Sequence, residues 1–274
     1  MDDVSPTNPP TARNDDGIAS AAGDARRLEF DAVVGPHAPV ARKVALRLLG
    51  SPADADDVAQ ESLVTAFERL ADLRDRGSAR AWLAAIATKK SLDLLRARRR
   101  WPRDAQERGE VAFLASEAAM GELGAALSAE SLRYEYREHV AYCFTCVGRS
   151  LDPEESAALV LTEVVGLTSL EAAAAIGVNE ATLRHRLAAA RATMASTFEG
   201  LCALVGKGGV CYQCAKLRDL APEGRRGPEV APIAPGEAPP DEKLRRRLAI
   251  VRDADLEGSA VHAVLQRFMS ELFG

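Results

Sequence analysis

Five cysteines occur in the 274 residues, and four of them fall into two CxxC pairs, Cys143 with Cys146 and Cys211 with Cys214. Thiolates at that spacing are the ligands of tetrahedral zinc sites. The 64 residues between the pairs exceed a usual zinc ribbon. Such a site therefore closes only if the two ends of the intervening segment lie together. Gly206, Gly208 and Gly209 give the chain before Cys211 the backbone freedom that a metal loop needs. A structural zinc is the first expectation. A redox pair or thiol switch, and buried unligated cysteines, are the alternatives. Cys202, between Leu201 and Leu204, reads as core, and His139 is a weaker substitute ligand.

The second chemistry is cationic. Residues 80–110 carry nine Lys or Arg against four acids, with the run Arg96, Arg98, Arg99, Arg100 and Arg103 at its centre. That run exceeds what complementing a helix dipole requires, and it suits phosphate contact. A solvated helix end is the bland alternative. Ahead of it, Asp54, Asp56, Asp57 and Glu61 crowd another helix start. They stand where the helix dipole favours negative charge, and a solvated acidic helix start is the bland reading.

Ordinary helix signals position these groups. Ser51 as cap, Pro52 at the first position and acidic Asp54 predict a helix running to about Leu73, with Ala59, Leu63, Ala66, Leu70 and Leu73 as its buried stripe. A turn at Asp75 to Ser78 precedes a helix from Arg80 to Arg100, with Trp82, Leu83, Ile86, Ala87 and Leu94 on one arc. Lys90 and Asp93 fall on that arc, and snorkelling of the lysine stem is the expectation for Lys90. From Leu28 to Leu49 the pattern is helical, interrupted by Pro36 and Pro39.

A helix-turn-helix follows. Asp152 and Pro153 open a helix that Gly166 ends, and Ser169 begins a short second helix. Gly177 makes the turn, Val178 packs between the helices, and Asn179 caps a third helix from Glu180 to about Met194. A helix so placed presents its first turns to base edges in a major groove while basic residues hold phosphates. Here those turns carry Thr182, Arg184, His185 and Arg186, followed by Arg191. A helical hairpin with arginines in water is the alternative.

Composition sets the class. The chain is rich in Ala, Leu, Arg and Glu and has no alternating β-branched runs, so an all-α protein is expected. No window offers the roughly 18 apolar residues of a membrane span, so no membrane insertion is expected and the location is cytoplasmic, where thiols stay reduced. A net charge of −5 argues against uniform coating of nucleic acid. No Ser/His/Asp grouping, phosphate-cradling loop or paired-carboxylate site stands out, so a non-enzyme is expected.

The segments DADDVAQESLVTAFERL, RAWLAAIATKKSLDLLRARRR and LTSLEAAAAIGVNEATLRHRLAAARATM occur in the order found in bacterial RNA polymerase sigma factors of the sigma-70 family. The chain resembles their extracytoplasmic-function (ECF) subfamily over about Leu28 to Arg103 and Leu151 to Phe198. That resemblance implies that Asp57, Gln60 and Glu61 contact core RNA polymerase. It implies that Arg80, Lys89, Arg96, Arg98, Arg99 and Arg100 touch the −10 promoter element, and that Thr182, Arg184, His185, Arg186 and Arg191 serve the −35 element. The chain departs from the family where Thr88 and Lys89 replace the usual Arg-Asn. An operator-binding regulator acting without polymerase is the runner-up. A thiol redox enzyme is a more distant rival that lacks the βαβ pattern.

The expected organisation is two small helical domains joined by a linker, with a C-terminal helical extension. The boundaries are a disordered tail over 1–25, a region 2-like domain over 26–103, a linker over 104–138, and a region 4-like domain over 139–218. A second linker covers 219–240 and the helical extension 241–274. The extension is free to tune activity beside, or in place of, a separate anti-sigma factor.

Overall fold

The computed structural model describes residues 15–128, 136–202, 220, 222–225, 238–254 and 260–274, excepting the side chains of 15–22 and of Tyr136. All regular structure among these residues is helical.

The first helix, α1 (Asp15–Val33), begins inside the stretch predicted to be an unordered tail, which corrects that expectation for Asp15 to Ala25. The reason is tertiary. Arg26 donates to the carbonyls of Phe67 and Glu68 at 2.6 Å each and lies over the Phe67 ring, and Phe30 meets that ring edge-on. Residues 1–14 lie outside the described residues. A 3-10 turn (Gly35–His37) contains Pro36, and α2 (Ala38–Leu49) ends at Gly50, whose φ of 77° is the left-handed conformation glycine tolerates.

In α3 (Pro52–Glu68) the Ser51 hydroxyl accepts from the Asp54 amide at 3.2 Å, as the start signal predicts. The helix stops at Glu68 rather than near Leu73, because a 3-10 turn at Leu70–Asp72 directs Leu70 into the core. The basic helix is α4 (Ala79–Ala97). Residues 105–128 form α5 (Ala105–Leu114) and α6 (Glu117–Ser128), and α7 (Tyr136–Gly148) carries the first cysteine pair.

The helix-turn-helix is built as its residues predict. Asp152 caps α8 (Pro153–Leu159), which runs on as a π-helical stretch (Val160–Val165) to Gly166 at φ 77°. Thr168 and Glu171 form a reciprocal capping box on α9 (Ser169–Ile176). Gly177 turns the chain at φ 80°, and the Asn179 side chain accepts from the Thr182 amide at 2.8 Å to start α10 (Glu180–Leu201). This helix outruns its expected end at Met194, since Ala195, Phe198 and Leu201 continue the buried stripe. Two further helices, α11 (Pro240–Asp253) and α12 (Ala260–Phe273), complete the described chain.

The two expected helical modules do not stand apart. One apolar core runs from Val34 and Leu83 through Val147, Leu161, Leu183 and Phe198 to Leu248 and Val251. A second, smaller core joins Trp101, Phe113 and Leu123 to Tyr142, Cys146, Leu265, Met269 and Phe273. Within the stretch expected as a linker, α5 and α6 are therefore packed helices, held on one side by α12.

Candidate functional site

On α3, Asp57, Gln60 and Glu61 are all exposed, because the buried face of that helix is used by Ala55, Val58, Ala59, Ser62 and Ala66. Glu61 is also the partner of Lys90, whose ammonium reaches it at 3.1 Å. Lys90 therefore does not merely snorkel: it ties α4 to α3.

The cations of α4 and of the residues just after it divide into two sets. Lys89, Arg99 and Arg100 are exposed. The others are engaged within the chain. Arg80 donates to the Val165 carbonyl, and Arg96 pairs with Glu154 at 2.6 Å and with Asp93 at 3.1 Å. Arg98 makes a two-pronged bond to Asp54 at 2.7 and 2.8 Å. These pairs mark the titrating groups. The Arg98 hydrogen bond holds the Asp54 carboxyl below its ordinary value. Burial pushes Glu154 upward, yet its bonds from Arg96 and its neighbours outweigh burial and bring it down to about 2.

In the helix-turn-helix, Arg184 and His185 stand exposed on the leading turns of α10, with Thr182 and Arg186 half-buried beside them. Leu183 and Ala190 form the hidden face. Arg191 is less free than the sequence suggests, because it pairs with Glu163. Glu163 also takes Arg252 from α11, at 3.0 Å. A glutamate on a mostly apolar helix, with arginines at matching distances in space but not in sequence, was invisible to motif reading.

Cys143 and Cys146 are both buried and both line a cavity of about 90 Å³, together with Tyr142, Phe113, Leu265 and Leu220. The Cys146 thiol donates to Gln266 Oε1 at 3.6 Å, and burial pushes it up to about 12. Cys211 and Cys214 lie outside the described residues. Among the described residues no group of three or more His, Cys, Asp or Glu side chains is arranged to hold a metal ion. Cys202 is core, as expected, with the Arg247 guanidinium 2.9 Å from its sulfur. His139 Nδ1 lies 3.3 Å from His262 Nε2.

Comparison with known proteins identifies the two modules by family. Residues 33–101 match Sigma-70 region 2 and residues 144–194 match Sigma-70, region 4. The RNA polymerase sigma factor CnrH of Cupriavidus metallidurans is 31% identical over 185 residues, which cover 66% of this chain and 93% of that protein. The chain belongs to the ECF sigma factors of the sigma-70 family. Its region 2 comprises α2 to α4, and its region 4 is the helix-turn-helix of α8 to α10.

The ECF RNA polymerase sigma factor SigE of Mycolicibacterium smegmatis is 29% identical over 188 residues, 67% of this chain and 66% of that one. SigG of Mycobacterium tuberculosis, also an ECF RNA polymerase sigma factor, is 29% identical over 184 residues, 62% of this chain. The chain spans about half the length of SigG, at 49% of it. The match to region 2 ends at residue 101 and that to region 4 at residue 194, so α11 and α12 lie beyond both.

Proposed function

We propose that this chain binds core RNA polymerase and directs it to a subset of promoters, where it helps to separate the strands. The observation that carries this reading is the pairing of region 2 with region 4 in one chain. A regulator that works without polymerase has no use for region 2. Asp57, Gln60 and Glu61 present an acidic polar strip to the polymerase. Lys89, Arg99 and Arg100, together with Arg80, Arg96 and Arg98, hold promoter phosphates and the −10 bases. Thr182, Arg184, His185 and Arg186 read the −35 element from the major groove, and Arg191 adds a phosphate contact. The protein acts by binding rather than by turnover. Among the described residues no single helix is long and apolar enough to cross a membrane, and a role at the polymerase supports the cytoplasm as its location. A separate anti-sigma factor is a further partner consistent with this family.

The test is assembly of purified chain with core polymerase, followed by run-off transcription on fragments bearing −10 and −35 elements. Initiation that depends on the chain is expected. Absence of a complex with core, combined with specific binding to duplex operators, would replace this reading with the polymerase-independent one.

A structural zinc held by Cys143, Cys146, Cys211 and Cys214 belongs to the same proposal. Leu220 lines the cavity that Cys143 and Cys146 line. A bound zinc would supply the positive charge that holds buried thiols as thiolates. Metal analysis should give about one zinc per chain, and Cys143→Ser or Cys211→Ser should lower the thermal midpoint. Protein without metal and with four titratable thiols at these positions would remove the zinc.

A further inference from the structure

The helix α11 lies in a groove made by both promoter-binding modules. On the region 2 side, Arg47 donates to the carbonyls of Val251 at 2.8 Å and Ala254 at 2.6 Å, and Lys43 donates to the Arg252 carbonyl at 3.0 Å. The region 4 side is gripped at two points: Lys243 pairs with Glu199 at 2.8 Å, and Arg252 pairs with Glu163 at 3.0 Å. Between them Leu244, Leu248 and Val251 enter the shared core, and Arg247, only 1% exposed, lies 3.8 Å over the Phe198 ring. The following helix, α12, ends on the basic tail of α4. Phe273 packs on Trp101, and the Gly274 carbonyl accepts from the Arg99 amide at 3.3 Å.

The arrangement so held is incompatible with a promoter. Elements centred near −10 and −35 are about 25 base pairs apart, or about 85 Å at 3.4 Å per base pair. In this structure α4 packs directly on α9, and Arg80 and Arg96 of α4 are bonded to Val165 and Glu154 of region 4. Regions 2 and 4 cannot serve both elements until they separate. Separation requires α11 to leave at least one of its two sides. A ligand, here the polymerase, can shift such an equilibrium only by its preference for the open state, so whatever stabilises the closed state reduces apparent affinity.

We infer that α11 and α12 form an intramolecular inhibitor, a clamp across regions 2 and 4 that competes with core polymerase and promoter DNA. This inference rests on the initiation reading above. The clamp uses the main-chain carbonyls at the end of α11 as acceptors for region 2 cations and its own cations as partners for region 4 carboxylates. Its removal takes the α11 acceptors from Arg47 and the α11 cations from Glu163 and Glu199, while the side chains assigned to polymerase and DNA contact stay in the chain.

The test uses full-length protein. Leu248→Asp places a carboxylate in the shared core and should release α11. Lys243→Glu opposes Glu199 and should loosen the clamp less, while Lys243→Glu combined with Glu199→Lys should restore it. Leu248→Asp is expected to bind core polymerase on the order of tenfold more tightly than wild type, with run-off transcription rising in step. Its small-angle scattering radius should also exceed that of wild type. A gain in binding cannot come from unfolding. If Leu248→Asp unfolds instead, the reversal and its rescue give the same comparison.

Equal affinities for core in wild type and both released variants, or a charge pair whose swap restores nothing, would overturn the clamp and leave the initiation reading intact. If neither wild type nor variant assembles with core, the initiation reading fails and the clamp with it.

Discussion

His262 gives the most quantitative prediction. It sits on α12 with its Nε2 3.3 Å from His139 Nδ1, and its ring packs beside Tyr142. Burial pulls its imidazole down from an ordinary 6.5 to about 4. The Glu138 carboxylate, 3.8 Å from Nδ1, is too far for a hydrogen bond and does not offset that burial. The folded chain therefore holds His262 neutral where the unfolded chain would protonate it. Its contribution is fully present above about pH 6.5 and is lost as the pH falls toward 4, because over that interval the unfolded state binds the extra proton. Each pH unit there is worth about 1.4 kcal/mol, so the loss is on the order of 3 kcal/mol.

Urea unfolding from pH 7.5 to 4.5, followed by helical circular dichroism, reads this slope directly. The carboxylates fall in a separate window. Glu154, at about 2 in the folded chain, and Asp54 contribute stability above their ordinary values near 4, and that stability is lost only as the pH falls below them. His262→Gln, which retains a hydrogen-bonding partner for His139, should be less stable at pH 7 and nearly flat between pH 6.5 and 4.5. An unchanged slope in His262→Gln would refute the assignment of that acid sensitivity to the α7 and α12 interface.

Three further outcomes follow from the same geometry. Asn179→Ala removes the cap of α10 and should cost about 1 kcal/mol, with weaker binding to −35 duplexes than wild type, measured by fluorescence anisotropy. Met194→Ala empties a fully buried position where α10 meets the shared core, so chemical denaturation should show a loss of about 2–5 kcal/mol. Arg98→Ala should cost under about 1 kcal/mol in stability, because its pair with Asp54 is part-exposed, while promoter binding by the holoenzyme should fall and its salt dependence flatten.

Local signals sufficed for much of the site. Ser51 with Asp54, Asn179 with Thr182, and the left-handed glycines Gly50, Gly166 and Gly177 each act within a few residues, so spacing locates α3 and the helix-turn-helix, while the Thr168 cap one residue before Ser169 came from the structure. Exposure of Asp57, Gln60, Glu61, Arg184 and His185 follows from which helix faces are apolar. Helix ends that depend on distant partners were not legible. The later half of α1 is held by Arg26 reaching Phe67, and α10 runs past Met194 because Phe198 has Arg247 to pack against.

What the residues determined by themselves is a set of helices with one apolar face each and two cationic surfaces, because period, caps and charge are properties of neighbours in the chain. Which cations remain open to DNA was decided only by the tertiary structure. Arg96 meets Glu154, Arg191 and Arg252 share Glu163, and Arg47 holds the end of α11. Such pairs join groups far apart in sequence, and their formation depends on how the apolar faces of regions 2 and 4 and of α11 are buried together, which no local pattern encodes.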